Sequence, residues 1–375
     1  MGKESITKES ITKEAVAKEA VTKELEKRCI PELLRLSDNT PVDTPQLWEA
    51  RRKEIREILQ RECYGYLPET GWETEWETVA EEENAFGGKV YMRTIEVRIR
   101  SGRGYVSFPF QLSVPGNTEK PPVFLYITFS PLSSPEMVEE ITDNGFAVAR
   151  VCYQDIAPDQ NDGYYNGPGS LFPGNAYDGW GKLGVWAWSL SRIMDYLVQE
   201  KTLNTDAIAV IGHSRLGKTA LLCGAMDERF SLVIASESGA GGAALFRGKE
   251  GEKVADLCRN FPYWFCGNLK KWAGKEEELP FDQHFAAALV APRCLYTAGA
   301  SEDEWADPLS EFLACRAVTP VYELLGKQGL VADRLPRTGD MFHEGSVGFH
   351  LRPGTHYLGR DDWKLFMEYR KKHGV

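Results

Sequence analysis

Apolar residues fall into two patterns along this chain, short continuous runs and longer helical stripes, and their alternation predicts the architecture. Residues 122–129, 146–151, 207–211, 232–236, 292–298 and 347–352 are runs of the kind that form central strands covered on both faces. Residues 89–100 alternate apolar and polar positions, 105–114 do so less strictly, and the Ser101–Gly104 turn between them predicts an antiparallel hairpin. Helices are expected from an entry at Asp43-Thr44-Pro45 through 48–63, over 136–143, over 183–199, after Ile211, and over 361–372. In the third of these, Trp186, Trp188, Leu190, Ile193 and Leu197 share one face, so the tryptophans read as core. Residues 159–181, rich in Gly, Asn, Pro and Tyr, form a loop long enough to be functional. About eight strands alternating with helices make an α/β fold, a mostly parallel central sheet with helices on both faces.

Residues 3–25 do not share this patterning. They repeat a five-residue unit (Lys-Glu-Ser-Ile-Thr twice, then Lys-Glu-Ala-Val variants), and a period of five matches no helical face or coiled-coil seam. Residues 1–28 therefore read as a low-complexity tail, partly helical or disordered, ahead of one catalytic unit over 29–375.

Charge and cysteine usage narrow the partners. A formal net charge of −11 argues against nucleic acid or an anionic membrane. No apolar run approaches the ~20 residues of a bilayer span, and the N-terminus lacks the core of a signal peptide, so the expectation is a cytosolic protein, or a secreted one if translation starts elsewhere. The eight cysteines are scattered, without metal-ligand spacing, which suggests buried free thiols. No metal or cofactor is implied.

Candidate chemistry centres on Gly212-His213-Ser214-Arg215-Leu216-Gly217-Lys218, between a buried strand and a helix. Glycines flanking a serine at such a turn let strand and helix cross closely while the hydroxyl is held outward, although the second glycine comes one residue later than in Gly-x-Ser-x-Gly. Arg215 and Lys218 lie in the first helical turn, where cations oppose the helix dipole; two cations beside a serine can stabilise an oxyanion and hold an oxygen-rich acyl group. Ser214, Glu237, Asp303 and His356 each follow a separate predicted strand, in the serine, acid, histidine order of the α/β-hydrolase scaffold. Of six histidines, His213 is expected to point away from the serine and His350 to sit in the core, leaving His356 as the base.

Several motifs together resemble the glucuronoyl esterases, carbohydrate esterase family 15, over about residues 150–365. They are Tyr165-Asn166-x-Gly-Pro-Gly-Ser-Leu-Phe-Pro, Trp186-Ala-Trp, Gly212-His-Ser-Arg-Leu-Gly-Lys, Glu237-Ser-Gly-Ala-Gly-Gly, Ala291-Pro-Arg, Trp305-Ala-Asp-Pro and Arg352-Pro-Gly-Thr-His. The resemblance implies Ser214 as nucleophile, His356 as base and Arg215 as oxyanion stabiliser, with Lys218, Glu252 and Trp305 gripping the sugar. It places the acid at Glu237 or Asp303, and Glu237 is preferred because it lies in the longer motif, with a solvated carboxylate as the alternative for Asp303. An ordinary surface ion pair is the alternative for Lys218 and Glu252. Two departures stand out: His213 and Tyr357 occupy positions where fungal members carry cysteines, and Phe129-Ser130-Pro131-Leu132 lacks the glycine expected near the oxyanion site. The implied activity is hydrolysis of a glucuronate ester or glucuronoxylan fragment. An acetyl-xylan or other carbohydrate esterase, or a non-catalytic binding scaffold, are the alternatives.

Overall fold

A computed structural model of the chain describes residues 19–375. Ten strands form one sheet: β1 (Glu73–Asn84), β2 (Val90–Ser101), β3 (Gly104–Pro115), β4 (Val123–Thr128), β5 (Ala147–Cys152), β6 (Ile208–His213), β7 (Leu232–Ser236), β8 (Cys294–Ala300), β9 (Met341–Phe342) and β10 (Val347–Arg352). Their spatial order is β1-β2-β3-β5-β4-β6-β7-β8-β10-β9. From β5 to β10 the neighbours are parallel; β1, β2 and β3 form an antiparallel ribbon on one edge, and β9 pairs antiparallel with β10 on the other. The helices used below are α1 (Pro45–Leu59), α2 (Val138–Asp143), α3 (Lys182–Leu197), α4 (Arg215–Met226), α5 (Pro308–Ala317) and α6 (Arg360–His373).

The parallel strands are buried throughout and mostly apolar because both faces are covered. On β4, Phe124 and Tyr126 join Trp363 and Phe366 of α6 in one core, while Leu125 and Ile127 join Trp186 of α3 and Leu221 of α4 in the other. This is the period-2 alternation of a strand feeding two cores. Trp186 and Trp188 are buried, in keeping with their stripe on α3.

The predicted hairpin is present, with Ser101 opposite Gly104. Two strands exceed the expected eight. β1 is acidic and exposed along nearly its whole length, so it carries little apolar signal; its pairing with β2 holds it in place. β9 is two residues long.

The expected boundary at residue 28 coincides with the end of a packed helical segment. Residues 19–28 are helical, Val21 is buried, and Arg28 Nη1 donates to the Arg247 carbonyl (2.8 Å) and Ser310 Oγ (3.0 Å). The repeat units before residue 19 lie outside the described residues. No helix among the described residues is long and apolar enough to cross a membrane.

The β6–α4 junction depends on Gly212 and Gly217. A Cβ on Gly212 would meet the Leu216 carbonyl oxygen at 2.1 Å, and one on Gly217 would meet the Ser236 carbonyl at 2.8 Å and Ser238 Cβ at 3.1 Å. The late second glycine thus lets α4 approach the end of β7. Gly212→Ala should therefore lower unfolding free energy by more than ~2 kcal/mol in urea denaturation, since the clash is with backbone; a loss under ~0.5 kcal/mol would contradict this packing.

Candidate active site

Four adjacent strands deliver four side chains to one end of the sheet. Ser214 follows β6 directly at φ 58° and ψ −128°, and Glu237 follows β7 directly at φ 43°. Positive φ at non-glycine residues costs of order 1–3 kcal/mol and persists where surrounding structure over-determines it. Here the Ser214 N–H donates to the Ser236 carbonyl (2.9 Å) and the Glu237 N–H to the Ala298 carbonyl (2.8 Å). Asp303 lies just beyond β8 and His356 just beyond β10.

His356 joins them. Its Nε2 is 2.8 Å from Ser214 Oγ, its Nδ1 2.6 Å from Asp303 Oδ2, and the same Nδ1 3.3 Å from Glu237 Oε2. The preference for Glu237 is therefore corrected: Asp303 makes the short bond. Glu237 is held elsewhere, its Oε1 accepting from Arg352 Nη2 (2.5 Å) and its Oε2 from the Tyr357 N–H (3.2 Å). Asp303 is buried, not solvated, and its Oδ1 accepts from the Ala306 N–H (3.2 Å).

The two carboxyls also differ in charge preference. Burial dominates at Glu237 and raises its pKa above the usual carboxylate value. At Asp303 burial acts the same way, but the hydrogen bond and charge of His356 outweigh it and the net shift is downward. Burial lowers the His356 pKa, yet its bonds to Asp303 and Glu237 outweigh that and raise it to about 9.

Arg352 was missed by the sequence reading, although a charged residue closing an apolar strand was a signal for it. Its Nη2 donates to the Thr355 carbonyl (2.9 Å) and the Tyr357 carbonyl as well as to Glu237, and its Nε donates to Asp362 (3.0 and 3.1 Å). It thereby fixes the loop that carries His356. His350 is a satisfied core histidine, bonded to Asp362 (2.9 Å) and Tyr296 (3.0 Å).

His213 lies beside the base. Its ring packs 4.6 Å from that of His356, and burial pulls its pKa down to about 3, so it is neutral. Among the described residues, His213, Glu237 and His356 have ligand atoms within 4.8 Å of one another. Glu237 is already committed to Arg352 and Tyr357, and His356 to Ser214 and Asp303, so this group does not have the free donors of a prepared metal site.

Lys218 and Glu252 are not a surface pair. Both are buried; Lys218 is 5% exposed, and its Nζ donates to the Ser238 carbonyl (2.7 Å), the Ala240 carbonyl (2.6 Å) and, at 3.5 Å, Glu252 Oε2. Burial lowers its pKa. Trp305 is 54% exposed, and its carbonyl accepts from the Glu252 N–H (3.0 Å) and Lys249 Nζ (2.9 Å), which joins the three expected sugar-gripping residues through adjoining segments. Arg215 Nη1 donates to the Asp159 carboxylate. In the Phe129–Leu132 turn the Ser130 N–H is used internally, bonded to Thr128 Oγ1 (3.0 Å).

A parallel sheet whose strand ends bring a strained serine, a histidine and a carboxylate into hydrogen-bond contact defines an α/β hydrolase. A family profile described as "Glucuronyl esterase, fungi" matches residues 97–326. The chain is 31% identical to carbohydrate esterase MZ0003 from an unknown prokaryotic organism, over 92% of this chain and 90% of that protein. It is 29% identical to the 4-O-methyl-glucuronoyl methylesterase of Schizophyllum commune, over 79% of this chain and 74% of that one. Among solved structures, a glucuronoyl esterase from Solibacter usitatus matches with a TM-score of 0.85 at 34% identity, covering 91% of this chain and 97% of the other. The chain belongs to the glucuronoyl esterases, carbohydrate esterase family 15.

The raised His356 pKa has a kinetic sign. Only neutral imidazole accepts the serine proton, so kcat/KM should rise with pH, reach half its plateau near pH 9 and level off above that. Asp303→Asn should move this limb toward acid further than Glu237→Gln and lower the plateau more. A limb at or below the ordinary histidine value of ~6.5 in the unaltered protein would contradict the two-carboxylate arrangement.

Proposed function

We propose that this protein hydrolyses esters at the carboxyl carbon of a glucuronate, such as 4-O-methyl-glucuronoyl groups of xylan linked to lignin alcohols, or methyl glucuronate. The observation that carries this reading is a buried cation, Lys218, beside a histidine-bonded serine, in a chain whose relatives include 4-O-methyl-glucuronoyl methylesterases. A buried ammonium held by two carbonyls and one distant carboxylate is suited to an oxygen-rich acyl group; an acetyl group offers it nothing.

In this mechanism neutral His356 takes the proton from Ser214 Oγ through Nε2 as the oxygen attacks the ester carbonyl. Asp303 fixes the Nδ1–H tautomer and stabilises the imidazolium, and Glu237 adds negative charge at longer range while holding the histidine loop. Arg215 and backbone N–H groups at the start of α4 stabilise the oxyanion. Imidazolium returns its proton to the departing alcohol, and water, activated by the same histidine, releases the acid from Ser214. Lys218, Glu252 and Trp305 position the sugar.

Ser214→Ala should abolish turnover of methyl glucuronate while leaving the melting temperature within a few degrees of the parent; residual activity within tenfold would remove Ser214 from the nucleophile role. Lys218→Met, which keeps the volume and removes the charge, should cost ~1–3 kcal/mol in kcat/KM on methyl glucuronate and little on an aryl acetate. Equal losses on both substrates would assign Lys218 to support of the fold instead.

A further inference from the structure

Arg215 stands at the first position of α4, where a cation opposes the helix dipole, and its half-buried side chain is held by three rings and a carboxylate. Its guanidinium carbon lies 4.8 Å from the Trp264 ring centroid, 5.5 Å from Phe261 and 5.7 Å from Phe129. Trp264 and Phe261 are themselves stacked, 3.7 Å apart and 3° from parallel, so the box is stiff. One guanidinium nitrogen, Nη1, is tied to Asp159, while the buried Nε–H has no partner within the protein. The side chain as a whole is 30% exposed, so the guanidinium is anchored on one side and open on the other, on the residue that follows the strained serine.

Asp159 is the fixed point of this box. Its side chain is buried, and besides Arg215 its carboxylate accepts from Trp264 Nε1 (2.7 Å) and from Tyr263 Oη (3.1 Å), a hydroxyl also within reach of the Asp159 carbonyl. Trp264 thus gives its N–H to Asp159 and its ring face to Arg215. Asp159 opens the long 159–181 loop and has no contact with Ser214, His356 or Asp303 among the hydrogen bonds of the site, so it is placed to act only through Arg215.

We propose that Asp159 is a positioning residue for the esterase reaction: it holds the Arg215 guanidinium so that its remaining N–H groups face the oxygen that becomes negative when Ser214 attacks. The proposal rests on the oxyanion role that the esterase mechanism assigns to Arg215. An oxyanion donor is worth most when its orientation is set before the reaction begins, and a free arginine would spend part of its interaction on ordering itself and shedding water. Asp159 carries the opposite cost, since a carboxylate partner screens the guanidinium charge. If charge alone mattered, removing that carboxylate would speed the reaction; if orientation matters, it slows it.

A double-mutant cycle reads the sign directly. kcat and KM are measured for the parent, Asp159→Asn, Arg215→Ala and the double variant, on methyl glucuronate and on an aryl acetate. The expected result is a fall in kcat of about tenfold or more for Asp159→Asn on both substrates, with KM within about threefold, because every ester forms the same oxyanion. In the Arg215→Ala background the same change should cost no more than about twofold. Asp159→Glu should recover part of the loss, and the pH limb should stay in place because the histidine is untouched. A rise in kcat, a loss confined to KM, or losses that multiply in the double variant would each overturn the proposal. Should Asp159→Asn fail to fold, Tyr263→Phe loosens the carboxylate while keeping its charge, and the same cycle with Arg215→Ala distinguishes the same outcomes at smaller amplitude. If the glucuronate reading is wrong, the parent protein will leave methyl glucuronate intact, and the aryl acetate cycle still decides the role of Asp159.

Discussion

The imidazole of His356 held between Ser214 Oγ and two carboxylates is the contact on which the rest of the site depends. A lone serine hydroxyl is too weak a nucleophile near neutral pH, and a lone imidazole has neither a fixed tautomer nor a fixed direction. The sheet supplies both by placing β6, β7, β8 and β10 side by side, so that residues distant in the chain meet at their carboxyl ends. Arg352 completes the arrangement from the last residue of β10, bonding the carbonyls of Thr355 and Tyr357 on either side of the histidine. Asp303 and Glu237 divide the work: one makes the short bond to the ring, the other anchors the ring's loop and adds charge.

The loop after β7 links Glu237 to the buried Lys218. It begins with Glu237, and two residues within it, Ser238 and Ala240, give their carbonyls to Lys218 Nζ. Beneath it, Glu311 of α5 accepts from Ser238 Oγ (3.0 Å) and the Gly239 N–H (2.9 Å), and burial raises its pKa to about 8. A neutral carboxyl there avoids adding another buried negative charge next to Glu237 and Asp303. One short segment therefore touches both the histidine loop, through Glu237 and the Tyr357 N–H, and the Lys218 ammonium, through two carbonyls.

Much of this was legible in the sequence, for identifiable reasons. Apolar runs announced the parallel strands because both faces are buried, and the serine turn, the histidine after β10 and the two acids follow from the rule that parallel sheets gather function at their carboxyl ends. β1 was not legible because an exposed edge strand needs no apolar face, and its acidic run through Glu81, Glu82 and Glu83 gives no strand signal. The ranking of the two acids failed because motif length says nothing about hydrogen-bond distance: Arg352, 115 residues away, takes Glu237 Oε1 and leaves the closer approach to Asp303. The side-by-side packing of His213 and His356 was likewise hidden, since the direction of His213 relative to the serine says nothing of where the fold of the 352–357 loop brings the second ring. Asp159 carries no motif of its own, and its role emerges only from the three donors that converge on it.

Titrating His356 directly tests the central contact. In protein labelled with 15N-histidine, and with Ser214 intact, the ring nitrogens of His356 should report a pKa near 9, with Nδ1 keeping its proton in the neutral form through the bond to Asp303. A His356 that loses its imidazolium proton at or below pH 6.5, or that carries the neutral-form proton on Nε2, would mean that the two carboxylates do not hold the base between them.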